Sequence, residues 1–261
     1  MESLDRPVKT SLVPALLRGA RDSLLDQLYP PVCLNCGAPV ARADALCPDC
    51  WRQLRLITPP LCPRLGLPFE VDLGPGALSA EAIADPPPFD RARSAVVYTE
   101  IARTLVGRLK YGDRPEIARF CAQLMRGAGA ELLDSDPVLV PVPLHRFRLW
   151  SRRYNQSTEL ARQLGALADL PVDPLLVVRR RATHQQVGLT ADQRRRNVSG
   201  AFVARDDALD RLKGRRVILI DDVITTGATV GAVTRALQRA GVKEIDVLSF
   251  ARVVVGAETP I

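Results

Sequence analysis

The run Val217-Ile-Leu-Ile-Asp221-Asp222-Val223-Ile224-Thr225-Thr226-Gly227-Ala228-Thr229 decides how this chain folds. Residues 217–220 form a continuous apolar run, the pattern of a strand buried on both faces. Two carboxylates close the run, and a hydroxyl- and glycine-rich turn then opens a helical pattern over 230–240. A strand that turns directly into a helix places unpaired N–H groups and a positive dipole end at the turn, which suits a phosphate. Gly227 lets the backbone come close to that phosphate, and Thr225, Thr226 and Thr229 add hydroxyl donors. Asp221 and Asp222 can accept hydrogen bonds from two sugar hydroxyls, directly or beside a magnesium ion. The run contains neither G-x-G-x-x-G nor G-x-x-x-x-G-K, so it is not a dinucleotide or Walker loop.

Outward from this run, strand and helix patterns alternate. Residues 94–98, 138–141, 175–178, 201–203 and 244–254 read as strands; 101–110, 117–133 and 155–168 read as helices. The alternation predicts an α/β fold, a mainly parallel sheet with helices on both faces and the ligand site outside the carboxyl ends of the strands. Towards the N-terminus, residues 8–28 read as a short amphipathic helix. Residues 63–89, with Gly66, Pro68, Gly74, Pro75, Gly76 and Pro86-Pro87-Pro88, have linker chemistry. The expected organisation is an N-terminal helix in 1–28, a cysteine module in 29–62, a linker or hood in 63–89 and the α/β domain in 90–261. No internal repeat of useful length is visible.

At 261 residues the chain can hold one sizeable domain and a small appendage. The net charge of +7 is mostly arginine, clustered at Arg146, Arg148, Arg152, Arg153, Arg179–Arg181 and Arg194–Arg196. Such a balance suits phosphorylated small molecules or nucleic acid, and a solvated basic face accounts for it equally well. Neither an export signal nor an apolar stretch of about 20 residues is present, so a cytoplasmic protein without membrane insertion is expected.

Cys33-Leu-Asn-Cys36 and Cys47-Pro-Asp-Cys50 are two C-x2-C pairs ten residues apart. Two tight turns delivering four thiolates match structural zinc, with no coordination position left for catalysis. Such a module is expected to unfold in chelator on its own. Cys121 falls within an apolar helical pattern and reads as a small core residue. Cys62 begins what looks like a third knuckle whose second cysteine is a leucine, and reads as non-ligating. His145 and His184 read as non-catalytic, and Trp51 and Trp150 as packing residues.

The thirteen residues from Val217 to Thr229 resemble the signature with which type I phosphoribosyltransferases bind 5-phosphoribosyl pyrophosphate (PRPP). The resemblance extends to the ComF (competence protein F) family through the C-x2-C pairs, Leu109-Lys110-Tyr111, Pro141-Val142-Pro143-Leu144 and Arg152-Arg153-Tyr154-Asn155-Gln156-Ser157. It continues through Arg181-Ala182-Thr183, Gln186, Leu189, Arg194, Arg196-Asn197 and Ala201-Phe202. The family usually has glycine at the place of Arg153 and phenylalanine at that of Tyr154. It often carries a second knuckle set, of which Cys62 is the remnant here, and this implies one zinc.

The resemblance implies a type I phosphoribosyltransferase fold with a small N-terminal zinc-ribbon module. PRPP, with Mg2+, would lie on Asp221, Asp222, Thr225, Thr226, Gly227, Ala228 and Thr229. Val142, Pro143, Leu144, His145 and Arg146 would form the pyrophosphate loop, and residues 183–197 a mobile loop closing over it. Asp221, Asp222, Arg194 and Arg196 would be the catalytic set, the arginines neutralising charge on pyrophosphate. Three functions stay open: a phosphoribosyltransferase with an unidentified acceptor, an accessory that brings single-stranded DNA into the cytoplasm with other competence proteins, and a non-catalytic PRPP sensor. The basic clusters favour a nucleic-acid link, although 5% aromatic residues is little for a base-stacking platform.

Overall fold

The computed structural model describes residues 30–111, 115–144, 154–181 and 191–254. The helix expected over 8–28 lies outside them, as do His145, Arg146, Arg148, Trp150, Arg152, Arg153, Thr183, His184, Gln186 and Leu189. Four parallel strands form the sheet in the order β1-β6-β5-β2: β1 Ala92–Val97, β2 Val138–Pro141, β5 Val217–Ile224 and β6 Ile245–Arg252. A separate antiparallel pair joins β3 Val177–Arg179 to β4 Phe202–Ala204.

The apolar run places β5 inside the sheet, where Val217, Ile218, Leu219 and Ile220 are all fully buried. Each such side chain contributes roughly 1.5–3 kcal/mol of burial. Ile218, Ile220, Leu248 and Phe250 share one core with the helices Glu100–Tyr111, Pro115–Ala128 and Gln156–Ala168. Val217, Leu219 and Val247 share the other with Val230, Val233 and Leu237 of the helix Ala228–Arg239, together with Leu176, Phe202 and Cys62. Cys121 is buried in the first core, the place its pattern predicts.

Two elements differ from expectation. The helix expected over 117–133 breaks at Gly129 into Pro115–Ala128 and Ala130–Leu133, and the break packs so closely on β6 that a Cβ at Gly129 would lie 2.6 Å from Leu248 Cδ2. Strand β5 does not stop at residue 220. β6, of the same eight-residue length, keeps pairing with it, through Asp221↔Ser249 to Ile224↔Arg252, so both aspartates lie within the strand. Among the described residues no helix is long and apolar enough to cross a membrane.

Candidate functional site

The carboxyl ends of β5 and β2 bring the sequence-predicted residues together. Asp221 is only 9% exposed. Its Oδ1 accepts hydrogen bonds from Ser157 Oγ at 3.1 Å and from the Asp222 amide at 3.0 Å. Burial, reinforced by the charge of Asp222, pushes its pKa up to about 8, so the carboxyl keeps its proton at neutral pH.

Asp222 pairs with a residue to which the sequence assigned no role. Its Oδ2 lies 2.9 Å from Lys110 Nζ, with the two side chains 15% and 27% exposed. Burial works to lower the Lys110 pKa, but the adjacent Asp222 carboxylate outweighs it and holds the ammonium above its ordinary value. Lys110 follows Ala102 and Val106 at four-residue spacing, and both of these are buried. A lysine on the apolar stripe of an amphipathic helix was the signal available. Lys110→Met should cost about 1–3 kcal/mol by stranding a buried carboxylate. Adding Asp222→Asn should recover part of that loss, and additive melting shifts in the cycle would show that the pair is not coupled.

Thr225 and Thr226 are exposed, and Gly227 caps the helix Ala228–Arg239 at φ 75°. A Cβ there would meet nothing within 4 Å, so backbone conformation, not space, calls for glycine. On the neighbouring strand the Val142 amide donates to Ile220 O at 2.9 Å. Val142 O accepts from Asn155 Nδ2 at 3.0 Å, while Asn155 Oδ1 caps the helix Gln156–Ala168 by accepting from the Ser157 amide at 3.1 Å. Asn155 thereby ties the segment Val142, Pro143, Leu144 to the helix that holds Asp221 through Ser157. Neither Asn155 nor Ser157 has a signal beyond its place in the family-like run.

The segment expected to close over the site connects β3 to β4. Its helix Ala191–Val198 lies against the helix Ala228–Arg239. Arg196 is exposed; Arg194 contributes its backbone to that helix, and its side chain lies outside the described residues. Arg179 stacks on Phe202 with 5.2 Å from guanidinium carbon to ring centre, and Arg181 Nη2 donates to Ser199 O at 2.6 Å.

At the other end of the chain, the sulfur atoms of Cys33, Cys36, Cys47 and Cys50 all lie within 4.8 Å of one another. A tetrahedral zinc with Zn–S bonds of about 2.3 Å needs sulfurs about 3.8 Å apart, and this donor set fits it. Asn35 Nδ2 donates to Cys50 Sγ at 3.2 Å and the Cys47 amide to Cys33 Sγ at 3.2 Å, hydrogen bonds that favour thiolates. Burial pushes the Cys50 thiol up to about 12, while at Cys33 backbone amides outweigh burial and bring it down to about 6. A bound cation deprotonates such thiols outright. The ribbon packs on the α/β domain: Arg108 Nη1 donates to Leu34 O, and Trp51 meets Phe120 edge-on with ring centres 6.2 Å apart.

Sheet and ribbon together define the class. The phosphoribosyl transferase domain family matches residues 156–259, and the double zinc ribbon domain family matches residues 24–82. This is a phosphoribosyltransferase-type α/β domain preceded by a zinc ribbon. Full-length relatives narrow the assignment. Competence protein F of Haemophilus influenzae is 31% identical over 226 residues, covering 84% of this chain and 96% of that protein. DNA utilization protein YhgH of Salmonella typhimurium is 33% identical over 232 residues, covering 85% and 97%. Competence protein ComFC of Bacillus subtilis is 28% identical over 214 residues, covering 79% and 83%. The chain belongs to the competence protein F family.

Proposed function

We propose that this chain binds PRPP, together with Mg2+, on Asp221, Asp222 and the turn from Thr225 to Thr229, and that it does so in the service of DNA uptake or utilisation in the cytoplasm. One observation supports this best: β5 carries two adjacent aspartates directly into an exposed Thr-Thr-Gly turn at the N-terminus of a 12-residue helix. Beside that turn the 5-phosphate would meet helix amides and threonine hydroxyls. The ribose hydroxyls would face the aspartates, and the pyrophosphate would face Val142, Pro143 and Leu144. Magnesium bound with PRPP would neutralise part of the pyrophosphate charge.

Calorimetry with PRPP and Mg2+ tests the site. Asp222→Asn should weaken binding by about 1–3 kcal/mol, roughly 5- to 150-fold in Kd. Wild-type affinity in that variant would overturn the assignment. Pyrophosphate release over candidate acceptors then separates an enzyme from a sensor.

The names of the relatives and the arginine excess support a second ligand, single-stranded DNA. If Arg146, Arg148, Arg152, Arg153, Arg194 and Arg196 form a track, log K should fall with log[salt] at about −0.7 per phosphate neutralised. Removing each arginine should reduce the slope by about that amount, and PRPP should compete where the track crosses the turn. An absence of DNA binding at low salt would reject this role.

A further inference from the structure

Residues 60–84 repeat the fold of the zinc ribbon, and three backbone hydrogen bonds of its first knuckle recur one for one. In the first ribbon, Cys33 N donates to Ala38 O at 2.7 Å, Gly37 N to Cys33 O at 3.1 Å and Val40 N to Pro31 O at 3.0 Å. Twenty-nine residues later, Cys62 N donates to Leu67 O at 2.8 Å, Gly66 N to Cys62 O at 2.8 Å and Phe69 N to Pro60 O at 2.9 Å. The bridge Val32↔Pro39 has its counterpart in Leu61↔Pro68, and Gly37 and Gly66 both have positive φ, 79° and 64°. The second half of the motif recurs as well. Cys47 caps the helix Pro48–Gln53 and gives its amide to Cys33 Sγ at 3.2 Å; Ser79 caps the helix Ala80–Ala84 and gives its amide to Cys62 Sγ at 3.4 Å. The correspondence therefore runs Cys33 to Cys62, Cys36 to Leu65, Cys47 to Ser79 and Cys50 to Ala82.

We infer that residues 60–84 are a second ribbon that has lost its metal and holds its shape with an apolar core instead. A family of double zinc ribbons implies two zinc ions, but the four positions here offer one thiol, one hydroxyl and two hydrocarbon side chains. The hydroxyl is already engaged, since Ser79 Oγ accepts from the Ala82 amide at 3.3 Å. All four positions are buried, at 0%, 8%, 7% and 4% exposure in chain order. Cys62, Leu65 and Ala82 pack in the same core as Ala92, Val217 and Val247 of the sheet. Close fit to β1 and β6 replaces the metal as the constraint. Ala92 N donates to Arg64 O at 2.7 Å, Arg93 Nη1 to Pro63 O at 3.1 Å and Arg252 Nη1 to Leu65 O at 2.9 Å. A Cβ on Gly66 would stand 2.3 Å from Ala92 O, so the turn rests directly on the strand. The two ribbons therefore differ in what holds them, zinc for the first and the sheet for the second.

Metal analysis tests this. Wild type and Cys62→Ala should both carry about one zinc per chain. The triple variant Leu65→Cys/Ser79→Cys/Ala82→Cys, which with Cys62 restores four thiols, should carry about two, and its cobalt form should show about twice the thiolate-to-metal absorption. A second, independent readout is hydrogen exchange in chelator at low temperature. The amides of Cys62 and Gly66 should stay protected while those of Cys33 and Gly37 lose protection. Two zinc ions in wild type, loss of zinc in Cys62→Ala, or a folded triple variant that holds one zinc would each overturn the inference. If the triple variant does not fold, simultaneous loss of protection in both ribbons on chelation overturns it instead.

Discussion

Stripping the metal, or replacing Cys33 and Cys36 by serine, should unfold residues 31–53 and lower the melting temperature of the whole chain. Structural zinc contributes on the order of 10 kcal/mol to folding a small module. The packing changes the expectation that the module comes apart alone. Cys33, Leu34, Cys47, Cys50 and Leu54 share one core with Leu105, Leu109, Ile117 and Phe120. Ile57 N donates to Ala95 O at 3.0 Å and Val97 N to Arg55 O at 2.8 Å, so the chain leaving the ribbon pairs with the edge of β1. Losing the ribbon uncovers the apolar face of the helices Glu100–Tyr111 and Pro115–Ala128. The α/β domain should remain folded at low temperature but melt earlier and bind a hydrophobic dye. Metal analysis should give about one zinc in wild type and none in the double variant. Full zinc retention by the double variant, or an unchanged melting temperature of the zinc-free chain, would contradict this account.

What could be read from the sequence depended on whether the signal was local. The four thiols of the first ribbon are legible because spacing alone determines the donor set. Strand β5 is legible because a continuous apolar run needs burial on both faces. The second ribbon is legible only in its first half: Pro59, Pro60, Cys62, Gly66 and Pro68 echo the first ribbon and mark one knuckle, but with Ser79 and Ala82 at the other two ligand positions nothing marks the second, and the glycines and prolines between read as a linker. The Lys110–Asp222 pair joins residues 112 apart in sequence, and no local pattern names the partner. The burial of Asp221 was illegible for a related reason. A carboxylate after an apolar run reads as a strand end facing solvent, but the length of β5 is set by its pairing with β6. Ser249, opposite Asp221, is itself fully buried and hydrogen-bonded to Ser94 Oγ at 2.8 Å. A polar layer inside the sheet thus carries the strand on to Ile224.

That burial gives the site a dependence on pH. Because the pKa of Asp221 in the folded chain is pushed up to about 8, the native state holds a proton that the unfolded chain gives up near pH 4. Below about pH 4 both states are protonated and the group costs nothing. Between about pH 4 and 8 stability falls as pH rises, and above pH 8 the full penalty of a buried carboxylate is present. Asp221→Asn keeps the shape of the protonated acid. Its Oδ1 can accept from Ser157 and the Asp222 amide as before, and the charge never forms. The variant should come closest to wild type below about pH 4, and its advantage should grow by on the order of 4 kcal/mol between pH 5 and pH 9, about 8–16 °C for a chain of this size. Subtracting the two melting curves cancels every titration that variant and wild type share. Above about pH 8, where the carboxyl is ionised, the same substitution should weaken PRPP binding, because the amide cannot supply the charge that strengthens a hydrogen bond from a ribose hydroxyl. Stability and affinity would then move in opposite directions, as expected where a carboxylate is kept buried for its ligand. A melting difference that is the same at pH 5 and pH 9 would show that Asp221 is ionised throughout and that its burial carries no penalty.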